Sequence, residues 1–172
     1  MSKVVWKAGP VEMPWQAVTD RVMGGVSEAG LAHVQLDGRW CVRLRGQVSL
    51  ENNGGFVQMA MNLGQGGQQG QLDGSGWTGL EFEVRGNNET YHAHLRTPAV
   101  RRPWQSWRAS FVAPAARWTV VRLPWADFAP HRIEGSLDTA RLGRLGLVAI
   151  GRPFEADLAV AQVALYLERG AP

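Results

Sequence analysis

Two runs in this chain alternate in character from one residue to the next. In YHAHLR, Tyr91, Ala93 and Leu95 oppose His92, His94 and Arg96; in SWRASFV, Trp107, Ala109 and Phe111 oppose Arg108 and Ser110. A period of two puts alternate side chains on opposite sides of a β-strand, so each run presents one apolar and one polar face. The same pattern runs through WCVRLRGQVSL, where Trp40, Val42, Leu44, Val48 and Leu50 oppose Cys41, Arg43, Arg45, Gln47 and Ser49. In GLEFEVRG, Glu81 and Glu83 alternate with Leu80, Phe82 and Val84 and read as a solvated strand face. LGLVAIG is apolar on both faces and predicts a central strand. ADLAVAQVALYLE fits helix or strand by period alone, and its Val, Leu and Tyr content in this context predicts a closing strand. With 21 Gly and 9 Pro punctuating these segments and no long run of helical spacing, the pattern predicts an all-β sandwich.

A chain of 172 residues can bury a sizeable core and is expected to form one domain over residues 1–172. No window nears the roughly 18 apolar residues of a membrane span, and membrane insertion is not expected. MSKVVWKAGPVEMPW has neither an apolar signal core nor a small-residue cleavage site, which predicts a cytoplasmic protein. The single cysteine, Cys41, permits no internal disulfide, cannot alone furnish a zinc site, and is expected to be a buried core thiol. The net charge of +3 is carried by arginine, the only lysines being Lys3 and Lys7, and its scatter along the chain argues against nucleic-acid binding. GQGGQQGQLDGSGW, residues 64–77, is poor in apolar surface and predicts a mobile loop.

TDRVMGGVSEAGL has the look of a phosphate loop, but it contains neither G-x-x-x-x-G-K-[ST] nor G-x-G-x-x-G, and no helical pattern follows it. Gly24 and Gly25 therefore read as backbone punctuation, flanked by Asp20 and Ser27 as side-chain caps, with Met23 as a core plug. VSLENNGGFVQM repeats the arrangement, with Glu51, Asn52 and Asn53 before Gly54, Gly55 and Phe56. Two such corners point to a shared architectural cause.

Together, DRVMGGVSEAGL, GQVSLENNGGF, GLEFEVRGNNETYHAHLR, WQSWRASF, WTVVRLPWADFAP and RLGRLGLVAIG resemble the complex I intermediate-associated protein 30 family, from about Trp15 to Leu167. The resemblance implies a galactose-binding-domain-like jelly-roll sandwich, akin to carbohydrate-binding modules. It further implies membership of a group whose mitochondrial representatives help to assemble respiratory complex I. Without an import sequence, the chain looks like a stand-alone bacterial-type member.

The candidate ligand or partner face comprises His92, His94, Arg96, Arg108 and Ser110, extended by Gln58 and Asn62 as a concave groove edged by Trp104 and Trp107. The alternative is an ordinary solvated sheet face. His92 and His94 share one side of a strand, but a third metal ligand is not identifiable, so no metal or other cofactor is expected. No Ser-His-Asp or paired-carboxylate motif points to catalysis, and Asp20 reads as a cap. TPAVRRPWQS, residues 97–106, offers Arg101, Arg102 and Trp104, types enriched at binding hot spots. Trp40 and Trp118 are expected in the core, with Trp6, Trp15 and Trp104 nearer the surface. The leading expectation is a non-enzymatic assembly domain that binds a protein, such as a respiratory-complex subunit or assembly intermediate. The alternative is a carbohydrate-binding module.

Overall fold

The computed structural model describes residues 1–10, 14–64 and 70–169, and leaves the side chains of Met23 and Asn53 undescribed. The core-plug reading of Met23, the side chain of Asn53 and the loop reading of residues 65–69 thus lie outside the described residues.

Among the described residues two antiparallel six-stranded sheets form a sandwich, as the alternating runs predict, and of the jelly-roll kind that the family resemblance implies. The first has the order β3 (Glu28–Leu36), β4 (Arg39–Val48), β12 (Phe154–Tyr166), β6 (Gly79–Arg85) and β9 (Thr119–Pro124). Strand β1 (Ser2–Lys7) pairs with the C-terminal half of β12, beyond the stretch that β4 occupies. The second sheet runs β10 (Ala129–His131), β8 (Ser106–Val112), β7 (Thr90–Arg96), β11 (Arg144–Ile150), β5 (Phe56–Asn62) and β2 (Gln16–Thr19). Among the described residues no helix is long and apolar enough to cross a membrane.

The core lies between the sheets and takes one parity from most strands, while β12 changes parity between Val160 and Val163 across its register shift. Val42, Leu44, Phe82, Val84, Leu158 and Val160 come from the first sheet; Val57, Met59, Tyr91, Leu95, Leu145 and Leu147 come from the second. Residues 154–166, ambiguous by period, form a strand that β4 and β6 flank, and residues 144–150 are central in their sheet, as expected.

Several expected placements differ. Strand β4 ends at Val48, so Leu50 leaves the apolar face and is 46% exposed. Trp15, expected near the surface, is buried in the core, where Trp6 meets it edge-on at 5.4 Å. Cys41 is buried but not between the sheets: it joins Ala159, Ala161, Val34, Leu36 and Trp118 in a small apolar cluster away from the main core. Trp118 thus belongs to that cluster, and Trp40 is half-buried against His33. Within the low-complexity segment, residues 70–77 are built into the fold. Leu72 bridges Leu142 through both backbone bonds, and the Trp125 indole donates to the Gly74 and Trp77 carbonyls. Leu72 and Trp77 supply the apolar surface that the Gly and Gln content conceals.

The two Gly-Gly corners share one cause, the carboxylate of Asp20. It is fully buried and accepts from the Ser27 amide (2.9 Å), the Ser27 hydroxyl (2.5 Å), the Gly55 amide (2.5 Å) and the Phe56 amide (3.3 Å). Ser27 Oγ in turn accepts from the Ser49 amide at 2.8 Å. A Cβ at Gly25 would stand 2.5 Å from Asp20 Cγ, and one at Gly54 would stand 2.4 Å from Asp20 Oδ2, so only glycine leaves room for the carboxylate. Gly24 (φ +86°) and Gly55 (φ +141°) supply the backbone turns. Burial pushes the Asp20 carboxyl up, and the bonds from Ser27, Gly55 and Phe56 outweigh it, leaving the group below its ordinary 3.8. Because Ser27 leads into β3 and Gly55 into β5, one carboxylate fastens the first sheet to the second.

Candidate functional site

On the second sheet, register brings the expected side chains onto one outer face. Strands β7 and β8 pair so that His92 stands opposite Ser110 and His94 opposite Arg108. On the other side of β7, His92 faces Val148, His94 faces Gly146 and Arg96 faces Arg144. Strand β5 continues the rows, placing Gln58 beside Val148, Ala60 beside Gly146 and Asn62 beside Arg144. Gly146 leaves the space that Gln58 fills: a Cβ there would stand 2.5 Å from Gln58 Oε1. Gly146 and Val148 are buried under neighbouring side chains, which is how a strand read as apolar on both faces fits this exposed sheet.

The electrostatics of this face are one-sided. None of the residues that strand parity places on it is Asp or Glu. Among the described residues, the ion pairs do not include Arg96, Arg108 or Arg144. Burial, and after it the charge of Arg144, pull the Arg96 guanidinium below its ordinary value; burial and then Arg132 do the same to Arg108. Among the described residues, Arg108 Nε has only the neutral Ser106 hydroxyl as acceptor, at 2.9 Å. Burial, then Arg108, His92 and His131, pull His94 down to about 3, so the imidazole is neutral at physiological pH. Its Nε2 is buried without a hydrogen-bond partner among the described residues.

The loop between β7 and β8 is fixed by Gln105. Its Oε1 accepts from the Arg101 amide (2.8 Å) and the Arg102 amide (2.9 Å), while its Nε2 donates to the Arg132 carbonyl (3.1 Å). Arg101 and Arg102 remain at the surface, and Trp104 is 54% exposed. Trp107, expected at the rim of the groove, is instead 2% exposed in the core, its indole donating to the Gly135 carbonyl at 3.1 Å. Its parity with Ala109 and Phe111 already placed it there.

The face and the cavities coincide only in part. A 250 Å³ cavity at the loop end is lined by Arg96, Arg144, Thr97, Gly143 and their neighbours. Of the expected sheet-face residues, Arg96 alone lines it, joined by Thr97, Pro98 and Val100 of the expected interaction loop; His92, His94, Arg108 and Gln58 stand on the open face. Sequence reading missed Arg144, although its parity with Gly146 and Val148 marked it as outward. A larger cavity of 530 Å³ lies at the Asp20 corner, where Arg21 and Glu28 neutralise each other at 3.1 Å. His92 and His94, with ring centroids 6.2 Å apart, gain no third ligand, and the described residues contain no group of three or more metal-ligating side chains.

The fold is shared with solved carbohydrate-binding modules. The family 11 module of the cellulosomal cellulase Lic26A-Cel5E of Clostridium thermocellum superposes with a TM-score of 0.76 at 12% identity, covering 99% of this chain and 98% of that one. A family 11 module from the same organism, in complex with a β-1,3-1,4-mixed-linked tetrasaccharide, gives 0.74 at 12% identity over 98% of both chains. The family 30 module of the cellulase Cel9D-Cel44B of Clostridium thermocellum gives 0.69 at 16% identity over 99% of both. Identities this low establish the architecture alone. No curated protein matches the sequence. Residues 7–160, beginning eight residues before the boundary expected at Trp15 and ending short of Leu167, match the model of one family, and the chain belongs to it: complex I intermediate-associated protein 30.

Proposed function

We propose that this chain is a non-enzymatic docking domain of the assembly-factor kind, which takes a protein partner on the loop at residues 97–106 and the adjoining outer face of the second sheet. The observation that carries the reading is Trp104, 54% exposed on a loop that three Gln105 hydrogen bonds hold in place, beside arginines without carboxylate partners among the described residues. A large ring on a preorganised loop binds at low entropic cost and is the type of residue that dominates protein interfaces. Family membership supports a partner among respiratory-complex subunits or assembly intermediates. Capture of interacting proteins from the native cell tests it: a specific partner should be retained by the wild-type chain and lost with Trp104→Ala. Capture of the same proteins by both would overturn the assignment.

The second reading, a carbohydrate-binding module, is favoured by the shared fold with the family 11 and family 30 modules. Sugar recognition on such a face relies on aromatic platforms. Apart from histidines, the strand positions of this face offer one ring, Phe56, at the end away from the loop. A glycan titration in which Trp104→Ala and Arg96→Ala each abolish binding would favour this reading over protein docking.

A further inference from the structure

The strongest feature that the docking reading leaves unexplained is a set of cations placed against one another. Arg96 and Arg144 stand directly opposite across β7 and β11, and Arg108 lies one strand over, opposite His94. Residues directly opposite in an antiparallel pair hold their Cα atoms about 5 Å apart, and like charges there are destabilising. Partial burial adds a desolvation cost that no carboxylate among the described residues offsets. An anion between the two guanidinium groups would relieve both costs. The cavity they border also presents Thr97 and Gly143, which leave a recess where an oxyanion can approach two planar donor forks.

The arrangement discriminates among anions. Positive charge is concentrated at the loop end in Arg96, Arg144, Arg108, Arg101 and Arg102, while the rest of the face carries the neutral His94, the apolar Val148 and Ala60, and the amide of Gln58. A polynucleotide or polyphosphate presents charge along its whole length and is matched by a continuous basic track. A focal cluster continuing into a neutral, partly apolar surface matches a peptide with one or two carboxylates followed by uncharged residues. We propose that the Arg96–Arg144 pair and its cavity form a carboxylate-binding site that captures an acidic segment, Asp or Glu side chains, of the protein partner. This rests on the docking reading above and specifies the chemistry that the partner must present.

The test is calorimetric titration of the full chain at low salt with a capped peptide of two glutamates followed by six glutamines, an octaglutamine peptide and a short inorganic polyphosphate of matched charge. The diglutamate peptide is expected to bind, octaglutamine not, and polyphosphate more weakly than the diglutamate peptide. Arg96→Gln and Arg144→Gln should each weaken diglutamate-peptide binding about tenfold, whereas Arg122→Gln, on the other sheet, should leave it unchanged. No diglutamate-peptide binding, equal weakening by Arg122→Gln, or tighter binding of polyphosphate would each overturn the proposal. Capture with the same variants separates this inference from the reading beneath it. A partner lost with Trp104→Ala but kept by Arg96→Gln and Arg144→Gln leaves docking standing and removes the carboxylate site. Diglutamate-peptide binding that depends on Arg96, without any captured protein, keeps the site and removes docking.

Discussion

On the first sheet Glu81 stands opposite Arg122, and on the second Arg144 stands opposite Arg96. The first outer face neutralises itself: Arg122 donates to Glu81 at 2.8 Å, Arg43 makes a two-pronged contact with Asp157 at 2.8 and 2.7 Å, and Arg39 and Arg85 meet Glu83 and Asp37. The second holds Arg96, Arg108 and Arg144 half-buried and, among the described residues, offers them no acid. Cross-strand pairs of opposite charge stabilise a sheet by a few tenths of a kcal/mol to about 1 kcal/mol, and like pairs oppose it by similar amounts. The contrast therefore concerns what each face does. One pairs most of its arginines with acids within the fold, and the other leaves Arg96, Arg108 and Arg144 without an acid partner among the described residues.

Four measurements break or sharpen this contrast. The largest effect belongs to the corner that both sheets share. Asp20→Ala should lower the unfolding free energy by about 3 kcal/mol in urea denaturation, since it orphans buried amides of Ser27 and Gly55 together. Amide exchange should accelerate in both sheets; acceleration in one alone would show that the corner does not join them. The Asp20 carboxyl is held below 3.8, so its contribution is complete above that pH and disappears as pH falls through the folded value.

Next comes a pH response confined to the second face. His94 titrates at about 3 in the fold against an ordinary 6.5, so below pH 6.5 the unfolded chain binds a proton that the folded chain does not. Stability should fall by about 2 kcal/mol between neutrality and about pH 5, and His94→Gln should flatten that slope. An unchanged slope in the variant would remove His94 as its source.

The third effect belongs to the first face. Asp157→Ala should destabilise by about 1.5 kcal/mol, because it leaves the Arg43 guanidinium, 27% exposed, without its acceptor. The smallest effect is the most diagnostic because its sign reverses. Arg96→Gln should leave stability unchanged or raise it by up to about 0.5 kcal/mol, since it removes a like-charge opposition. Matched losses in Asp157→Ala and Arg96→Gln would erase the distinction between the faces.

Much of the candidate site was legible one strand at a time. The parity of His92, His94 and Arg96, and of Arg108 and Ser110, correctly put them on a face away from the core. Trp104 lies at the surface, as its loop position implies, whereas the alternation that turns Arg108 outward sends Trp107 inward, away from the rim expected for it. Arg144 was overlooked because the Leu, Val and Ile that follow it dominate the strand, and its opposition to Arg96 joins residues far apart in the chain. The Gly-Gly corners were recognised as structural, but Asp20 as their common centre was not, because its amide partners come from both corners.

By itself the sequence determined the alternating strands, the side chains that most of them send inward and outward, and the glycines at the corners. Each of these follows from local geometry: a period of two along the backbone, and turns that a β-carbon would obstruct. Only the tertiary structure decided which strands became neighbours. That choice set acid against arginine on one sheet and arginine against arginine on the other. Pairing register is a long-range outcome of core packing and chain topology, and no stretch of residues read alone contains it.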